Sequence, residues 1–271
     1  MNLPFMVRLF NISERIDMEN SDWWKPQNLE KSEKKFRHKN ELGEVDVHND
    51  FGSYKVMLST NDATKSAISS HNEITPSYRV KAIKKILGGF IPEKIYDLGC
   101  GLGFTTNEIS NEYPCAEVIG MDISEDAIAF GKKNFPNCQF LCEAVNPEHK
   151  DQVFCADLIY AFEFYPFTRT SDLNDHKQYL AHLTDELSEK GKLVIFQLWN
   201  NPESLSTNYS KLVTLFPNFQ FRLYTMPLRQ IGRFIRFRVL ANILSTIART
   251  VFRSISNRQL GENKVLVISK K

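Results

Sequence analysis

Cysteine chemistry is scarce in this chain. Its 271 residues include only five cysteines, an odd number, and no CxxC pair occurs. Paired spacings are what a disulfide framework or a zinc site requires. We therefore expect neither, and we interpret the cysteines as free thiols buried in a core and kept in a reducing compartment. They are Cys100, Cys115, Cys138, Cys142 and Cys155.

Long apolar runs are also missing. The longest nearly uncharged apolar stretch is VLANILSTIA, residues 239–248, bracketed by Arg238 and Arg249. It is about half the ~20 residues that a membrane-spanning helix needs. The first residues, MNLPFMVRLFNISERID, have no long apolar core and no small-residue cleavage site. We expect a soluble, cytoplasmic protein.

Charge is nearly balanced in total and uneven along the chain. The formal net charge is +2, yet residues 228–271 hold ten basic residues and a single acid, Glu262. The segment 228–271 is therefore strongly basic, and the remainder of the chain is acidic. No known nucleic-acid-binding module accompanies the basic segment, so a nucleic-acid partner is not favoured.

Secondary-structure signals alternate from residue 94 onwards. Short apolar strands such as KIYDL, AEVIGMDI and ADLIYAFE are separated by helical segments such as SEDAIAFGKKNF, for which Ser124 is the predicted N-cap. Long helices are predicted over 172–190, ended by Gly191, and over 203–216. This alternation predicts a doubly wound, Rossmann-like α/β fold with a mostly parallel sheet. We expect this domain over 74–271, preceded by a helical N-terminal extension, residues 1–73, as a candidate substrate cap.

A glycine-rich turn follows the first predicted strand. It reads DLGCGLG over residues 97–103, and Asp122 ends the next strand about twenty residues later. In doubly wound sheets a ligand binds at the carboxyl ends of the strands, where glycines let the backbone approach it. The glycine spacing is GxGxG, not the GxGxxG of dinucleotide-binding proteins. A plain strand-to-helix turn, with Asp122 as a helix cap, is the alternative.

The pair YDLGCGLG and GMDIS resembles the class I S-adenosylmethionine-dependent methyltransferases over about residues 75–200. The resemblance implies a seven-stranded sheet whose last strand is antiparallel, and S-adenosylmethionine as the cofactor. Asp122 would bind the ribose. The remaining cofactor-binding residues that the resemblance implies are Asp97, Gly99, Cys100, Gly101 and Gly103 at the methionine end, Ile123, Glu143 and Ala144 at the adenine, and Phe162 at the methyl-donor pocket.

Acceptor-binding and catalytic candidates are expected near the same edge of the sheet. The loop EFYPFTRT, residues 163–170, supplies the catalytic candidates Glu163 and Tyr165. His71, in the segment before the first predicted strand, is a further candidate base. Tyr78 and Arg79 could reach the methionine carboxylate. Each of these residues could instead be a surface or capping residue. His176 and His182 are expected to be solvated on a helix, and no metal site is expected because no cluster has ligand spacing.

An insertion over residues 227–259 separates the last two predicted strands. It holds seven arginines and no acid, together with an apolar stripe at helical spacing. It is either a helix packed on the domain or a lid that engages an anionic, partly apolar acceptor. Arg229, Arg233 and Arg236 fall on roughly the opposite side of a helical wheel from Arg238, Arg249 and Arg253, so two shorter helices are preferred to one and a simple amphipathic membrane anchor is disfavoured. Peripheral membrane contact through this segment stays an open hypothesis.

These observations predict an S-adenosylmethionine-dependent methyltransferase that acts on a small molecule or on a glycan- or lipid-linked intermediate, with O-methylation favoured. The alternatives are a non-catalytic protein that binds S-adenosylmethionine or a partner, and an aminopropyl transferase. The acceptor and the oligomeric state do not follow from the sequence.

Overall fold

The structure is a computed structural model that describes residues 76–148, 154–199, 201–227, 238–256 and 263–271. The strands are β1 Lys94–Leu98, β2 Glu117–Asp122, β3 Gln139–Cys142, β4 Ala156–Phe162, β5 Leu187–Leu198, β6 Phe219–Thr225 and β7 Asn263–Lys270. The helices are α1 Pro76–Leu87, α2 Phe104–Glu112, α3 Glu125–Asn134, α4 Leu173–Asp185, α5 Tyr209–Leu215 and α6 Arg238–Ser256.

The seven strands form one sheet in the order β3-β2-β1-β4-β5-β7-β6. Strands β1 to β5 are parallel to one another, and β7 runs antiparallel to both β5 and β6. The predicted Rossmann-like fold with an antiparallel last strand is thus confirmed. The order reverses at β1, so ligands belong at the carboxyl ends of β1, β2 and β4.

Alternate residues of the central strands supply two separate cores. Ile95, Leu158 and Tyr160 pack with α1 and α2 on one face. Tyr96 and Ile159 face the opposite way, into the core that α4 and α5 cover. Successive residues of a strand point to opposite faces of the sheet, and both faces are buried here. Nearly every residue of these strands is therefore apolar, as is typical of a parallel sheet.

Three glycines surround the ring of Phe140, which is almost wholly buried. A Cβ atom would lie 2.6 Å from this ring at Gly103, 2.9 Å at Gly120 and 2.8 Å at Gly131. No real Cβ atom approaches so closely, so each glycine makes room for the ring. The third glycine of the DLGCGLG turn therefore has a packing role in addition to any role in ligand binding.

The predicted boundary between α4 and β5 is wrong. The helix ends at Asp185, and the strand begins at Leu187. Gly191 therefore lies within β5 and does not end a helix. A Cβ atom at Gly191 would be 3.0 Å from the carbonyl oxygen of Ala156. The pairing of β4 with β5 shifts register at this point. The glycine is needed there for close approach of two strands.

The helix predicted over 203–216 is also shorter than expected. The structure has a single 3-10 turn, Leu205–Thr207, followed by α5. Ser204 and Asn208 are buried side chains at the ends of this turn. Serine and asparagine compete for backbone hydrogen bonds and so interrupt helices. The predicted N-terminal extension, residues 1–73, lies outside the described residues.

Candidate cofactor and acceptor site

The glycine turn and the end of β2 are joined through one carboxylate. Asp122 Oδ2 accepts a hydrogen bond of 2.9 Å from the Gly101 backbone N–H, and its Oδ1 accepts one of 2.9 Å from the Ser124 N–H. Ser124 in turn caps α3, since its Oγ accepts from the Ala127 N–H at 3.3 Å. Gly101 has φ +53, which glycine adopts without strain. The turn is thereby fixed relative to Asp122.

Glu143 and Ala144 extend the same edge from the end of β3. The Glu143 N–H donates to the Asp122 carbonyl oxygen at 3.1 Å, and the Cys142 thiol lies 3.6 Å from the Ile123 carbonyl oxygen. The side chains of Glu143 and Ala144 are exposed, and Ile123 is partly exposed. The structure therefore brings together the residues that the resemblance assigned to the ribose and the adenine.

Asp97 is buried beneath the glycine turn. Its carboxyl is 1% exposed, and its Oδ2 accepts a hydrogen bond of 2.7 Å from the Thr106 hydroxyl. Burial raises the pKa of Asp97 from 3.8 to about 7, although the Thr106 hydrogen bond and the positive charge of Arg79 both favour the carboxylate. A further positive charge bound near Asp97 would lower this pKa and favour the ionised carboxylate.

Arg79 on α1 interacts electrostatically with the Asp97 carboxyl. Its guanidinium carbon lies 4.7 Å from the ring centre of Phe162 and 5.1 Å from that of Phe196, and its Nη2 donates to the Thr105 hydroxyl at 3.1 Å. Burial lowers the pKa of Arg79, while Glu163 and Asp97 favour its charge. Its Nε–H is buried and has no hydrogen-bond acceptor among the described residues. A carboxylate ligand would satisfy such a donor.

The raised pKa of Asp97 makes a prediction about stability. Because its folded-state pKa lies above its unfolded value, its contribution to the free energy of unfolding is complete below about pH 4 and is lost as the pH rises through about 7. We expect Asp97→Asn, without ligand, to be more stable than wild type by about 2–4 kcal/mol at pH 8, and to differ little at pH 4.5. Urea denaturation at both pH values measures this.

Asp157 provides a matched control for that experiment. It accepts hydrogen bonds from the Ser188 hydroxyl and from two backbone N–H groups, and these interactions lower its pKa despite partial burial. Asp157→Asn should therefore destabilise the protein at pH 8. If Asp97→Asn also lost stability at pH 8, the assignment of a raised pKa to Asp97 would be wrong.

Glu163 begins the loop 163–170, which we call the acceptor loop. It follows β4 directly, has φ +50, and its N–H donates to the Phe196 carbonyl oxygen at 3.0 Å. The next residue, Phe164, covers Gly99, where a Cβ atom would lie 3.0 Å from its ring. The acceptor loop thus contacts the glycine turn, and the negative charge of Glu163 raises the pKa of Arg79 against the effect of burial.

Tyr165 is oriented by α4. Its hydroxyl donates to Asp175 Oδ2 at 2.9 Å, and its ring packs edge-to-face on Tyr179 with centroids 5.7 Å apart. Its proposed contact with the acceptor stays a prediction. Arg169 in the same loop is exposed. Burial raises the pKa of Asp122, and the positive charge of Arg169 partly opposes this shift.

Backbone carbonyls of the acceptor loop are bound from the segment that follows β5. Asn201 donates to the Thr168 carbonyl oxygen at 2.8 Å, and the Leu205 N–H donates to that of Phe167 at 2.8 Å. The acceptor loop is therefore anchored by groups more than thirty residues away in sequence.

His176 holds the same loop from α4, and the prediction that it is solvated is wrong. It is completely buried, and its Nε2 lies 3.1 Å from the Pro166 carbonyl oxygen. Its Nδ1 lies 3.2 Å from Asn208 Nδ2, which also donates to the Ser171 carbonyl oxygen at 2.7 Å. This geometry requires the neutral ring with its proton on Nε2. His182 is also partly buried, against Phe154.

Burial lowers the pKa of His176, with an effect on stability opposite to that of Asp97. As the pH falls below 6.5 the unfolded chain takes up a proton that the folded protein excludes, so stability falls. His176→Gln should destabilise the protein by about 1–3 kcal/mol at pH 8 and flatten its pH dependence below 6.5. Urea titrations from pH 8 to 5 measure both effects. His176→Gln with unchanged slope would contradict the assignment.

Several residues of this site carry no motif that sequence inspection could have found. Thr105, Thr106, Phe196 and Asn208 enter the site only because the fold brings their elements to one edge. His71 lies outside the described residues. Three of the five cysteines, Cys115, Cys142 and Cys155, are exposed, which corrects their assignment to the core; all five are free. Among the described residues no cluster has the composition of a metal site.

Comparison with known proteins agrees with this arrangement. Residues 95–191, which run from β1 into β5, match the family model described as a methyltransferase domain. The chain thus contains a methyltransferase domain over these residues. The matched range contains the glycine turn, Asp122 and the acceptor loop.

Two curated proteins match part of this chain. Trans-aconitate 2-methyltransferase of Yersinia pseudotuberculosis is 31% identical over 104 residues, which is 38% of this chain and 38% of the relative. Malonyl-[acyl-carrier protein] O-methyltransferase of Bacillus anthracis is 32% identical over 103 residues, 37% and 36% of the two chains. The chain thus matches well under half of the length of these relatives.

A solved structure shares the fold. The plantazolicin methyltransferase BpumL, in complex with a triazolic desmethylPZN analog and SAH, superposes with a TM-score of 0.52 at 16% identity. The superposition covers 82% of this chain and 95% of that one. At this identity the comparison establishes the architecture.

Proposed function

We propose that the chain is an S-adenosylmethionine-dependent methyltransferase that methylates an oxygen atom of a small or carrier-linked acceptor. The observation that carries this is Asp122, held by Gly101 and Ser124 at the end of β2. Both backbone bonds fix its carboxylate and leave further lone pairs for a ribose diol. The family match over 95–191 supports the same assignment.

The remaining groups fit the other parts of this cofactor. Arg79 offers a buried Nε–H for the methionine carboxylate, and Asp97 offers a carboxyl for the α-ammonium. A dinucleotide pyrophosphate is a poorer match, since two carboxyls flank the turn where its negative charge would lie. The BpumL complex contains SAH, which supports the choice of cofactor here.

The reaction would be an in-line displacement. An acceptor oxygen forms a bond to the methyl carbon while the carbon–sulfur bond breaks, and the electron pair stays on sulfur, which gives S-adenosylhomocysteine. A carboxylate acceptor needs no base, whereas a hydroxyl acceptor must lose a proton, for which Glu163 is the candidate. The chain would contribute chiefly by positioning, and the anchored acceptor loop supplies it.

The acceptor class rests on the relatives. Trans-aconitate and a malonyl thioester, named in those relatives, both carry carboxylates. We extend this to a carboxylate or hydroxyl of a small-molecule, glycan-linked or lipid-linked acceptor. A catalytically inactive binding protein and an aminopropyl transferase are the competing functions.

Calorimetric titration and product analysis separate these functions. We expect S-adenosylmethionine and S-adenosylhomocysteine to bind with micromolar affinity and NAD to give no heat. With a panel of acids and hydroxylated acceptors, S-adenosylhomocysteine should accumulate. Release of methylthioadenosine from decarboxylated S-adenosylmethionine would instead identify an aminopropyl transferase. Binding without any turnover would favour the non-catalytic function.

A further inference from the structure

Helix α6 carries an exposed stripe of large aliphatic side chains. Val239 is 74% exposed, Leu240 45%, Ile243 51% and Ile247 50%. Residues three and four apart share one face of a helix, so these four side chains form a continuous strip, which we call the α6 stripe. An amphipathic helix of a globular protein normally turns such residues inward.

The opposite face of α6 holds small residues. Ala241 is 1% exposed, and Ser245 is wholly buried with its hydroxyl bonded to the Ala241 carbonyl oxygen at 2.6 Å. Over residues 239–248 the helix is therefore packed through Ala241 and Ser245, while the four side chains of the α6 stripe are exposed to solvent. This inverted arrangement indicates that the stripe is available to another surface.

Topology places the insertion at the edge of the sheet that holds the proposed site. Strand β6 is parallel to β5, since both pair antiparallel with β7, so the insertion leaves from the carboxyl edge. The two ends of the insertion are joined by a 2.9 Å hydrogen bond from the Met226 N–H to the Asn263 carbonyl oxygen. The Tyr78 hydroxyl, next to Arg79, donates to the Pro227 carbonyl oxygen at 3.3 Å.

Charge selects among the surfaces that could cover the stripe. The sequence 227–259 contains seven arginines and no acid. A second copy of this chain would bring an equal positive charge against it, and a nucleic acid would not need four exposed aliphatic residues. Aliphatic side chains with arginine are what an anionic lipid surface binds. No helix of the described residues is long and apolar enough to cross a membrane.

We propose that α6 lies in the plane of an anionic lipid surface, with the α6 stripe buried among the acyl chains. This docks the carboxyl edge of the sheet beside the membrane. The inference deepens the proposed function, on which its catalytic meaning rests: the acceptor is an amphiphile that reaches the site from the lipid surface.

Vesicle co-sedimentation tests the docking independently of catalysis. The full chain should sediment with phosphatidylglycerol–phosphatidylcholine vesicles in low salt, and at least about tenfold less with phosphatidylcholine alone. Raising the salt to about 0.5 M should weaken the binding, because the Debye length becomes short. Ile243→Glu/Ile247→Glu should reduce the binding to anionic vesicles at least about tenfold.

Two matched controls use exposed residues elsewhere. Val213→Glu/Leu215→Glu places the same charges on α5, where these side chains are 38% and 46% exposed, and should leave vesicle binding unchanged. Arg249→Gln/Arg253→Gln should weaken binding to anionic vesicles, whereas Lys132→Gln/Lys133→Gln on exposed positions of α3 should not. S-adenosylhomocysteine titration of every variant verifies that the cofactor site is intact.

The outcomes are distinct. Absence of sedimentation with anionic vesicles, or sedimentation that survives Ile243→Glu/Ile247→Glu, overturns the proposal. Self-association without lipid that this variant abolishes would also overturn it, by making the face an interface between copies. Vesicle binding without any binding of S-adenosylhomocysteine would leave the docking established and reject the proposed function.

Discussion

Asp122→Ala is expected to lower the affinity for S-adenosylmethionine and S-adenosylhomocysteine by about 100-fold or more. A ribose diol donates to a carboxylate through charge-assisted hydrogen bonds, each of which contributes about 1.5–3 kcal/mol. Loss of two such bonds therefore corresponds to at least two orders of magnitude. Isothermal titration calorimetry of both ligands into the wild type and the variant measures the difference.

The control must separate the ligand contact from the local structure that Asp122 supports. Asp122→Ala also removes the acceptor of the Gly101 and Ser124 N–H groups. Asp122→Asn keeps an acceptor and should have an intermediate affinity, while Asp126→Ala, an exposed acid in the first turn of α3, should bind normally. If Asp122→Ala bound within about threefold of wild type with an unchanged Tm, the assignment of Asp122 to the ribose would be wrong.

Gly131→Ala is expected to destabilise the protein by about 1–3 kcal/mol, against the preference of helices for alanine. Gly131 lies within α3, and helix propensity alone predicts a gain of about 1 kcal/mol. A Cβ atom would, however, lie 2.8–3.0 Å from three atoms of the Phe140 ring. The ring is enclosed by Gly103 and Gly120 on its other sides and has little room to move. Urea denaturation measures the change.

Other glycines set the limits of this effect. Gly103→Ala should cost more, about 2–5 kcal/mol, since a Cβ atom would approach Phe140 to 2.6 Å and φ is +82. Gly89→Ala should be nearly neutral, because no atom lies within 4 Å of the added Cβ and the φ of Gly89 is outside the left-handed region. In a Phe140→Leu background the cost of Gly131→Ala should shrink, and an unchanged cost would show that Phe140 is not the cause.

The sequence predicted those elements whose signals are local. Ser124 is the N-cap of α3 as its position before two acids indicated, and the bounds of β1 and β4 follow the apolar runs closely. Their order along the chain, with helical crossovers, restricts the sheet to very few topologies. The glycine turn and Asp122 therefore fall together at the carboxyl edge, as predicted.

Tertiary contacts account for what the sequence did not reveal. Gly191 has the signature of a helix end, yet the close approach of Ala156 requires it within a strand. His176 has the polar side chain of a solvent-facing residue, and only its buried partners, Pro166 and Asn208, explain its position. Such partners lie ten and thirty-two residues away along the chain, beyond the reach of any periodicity argument.

The hydrogen bond between Met226 and Asn263 limits how strongly the length of the insertion affects the stability of the sheet. This backbone hydrogen bond joins the two ends of the insertion, so the insertion is a loop closed on the sheet, independently of its sequence. Lengthening a closed loop costs little free energy, since the entropy grows only with the logarithm of its length. We therefore expect that this segment can change in length at little cost to the pairing of strands β5 to β7.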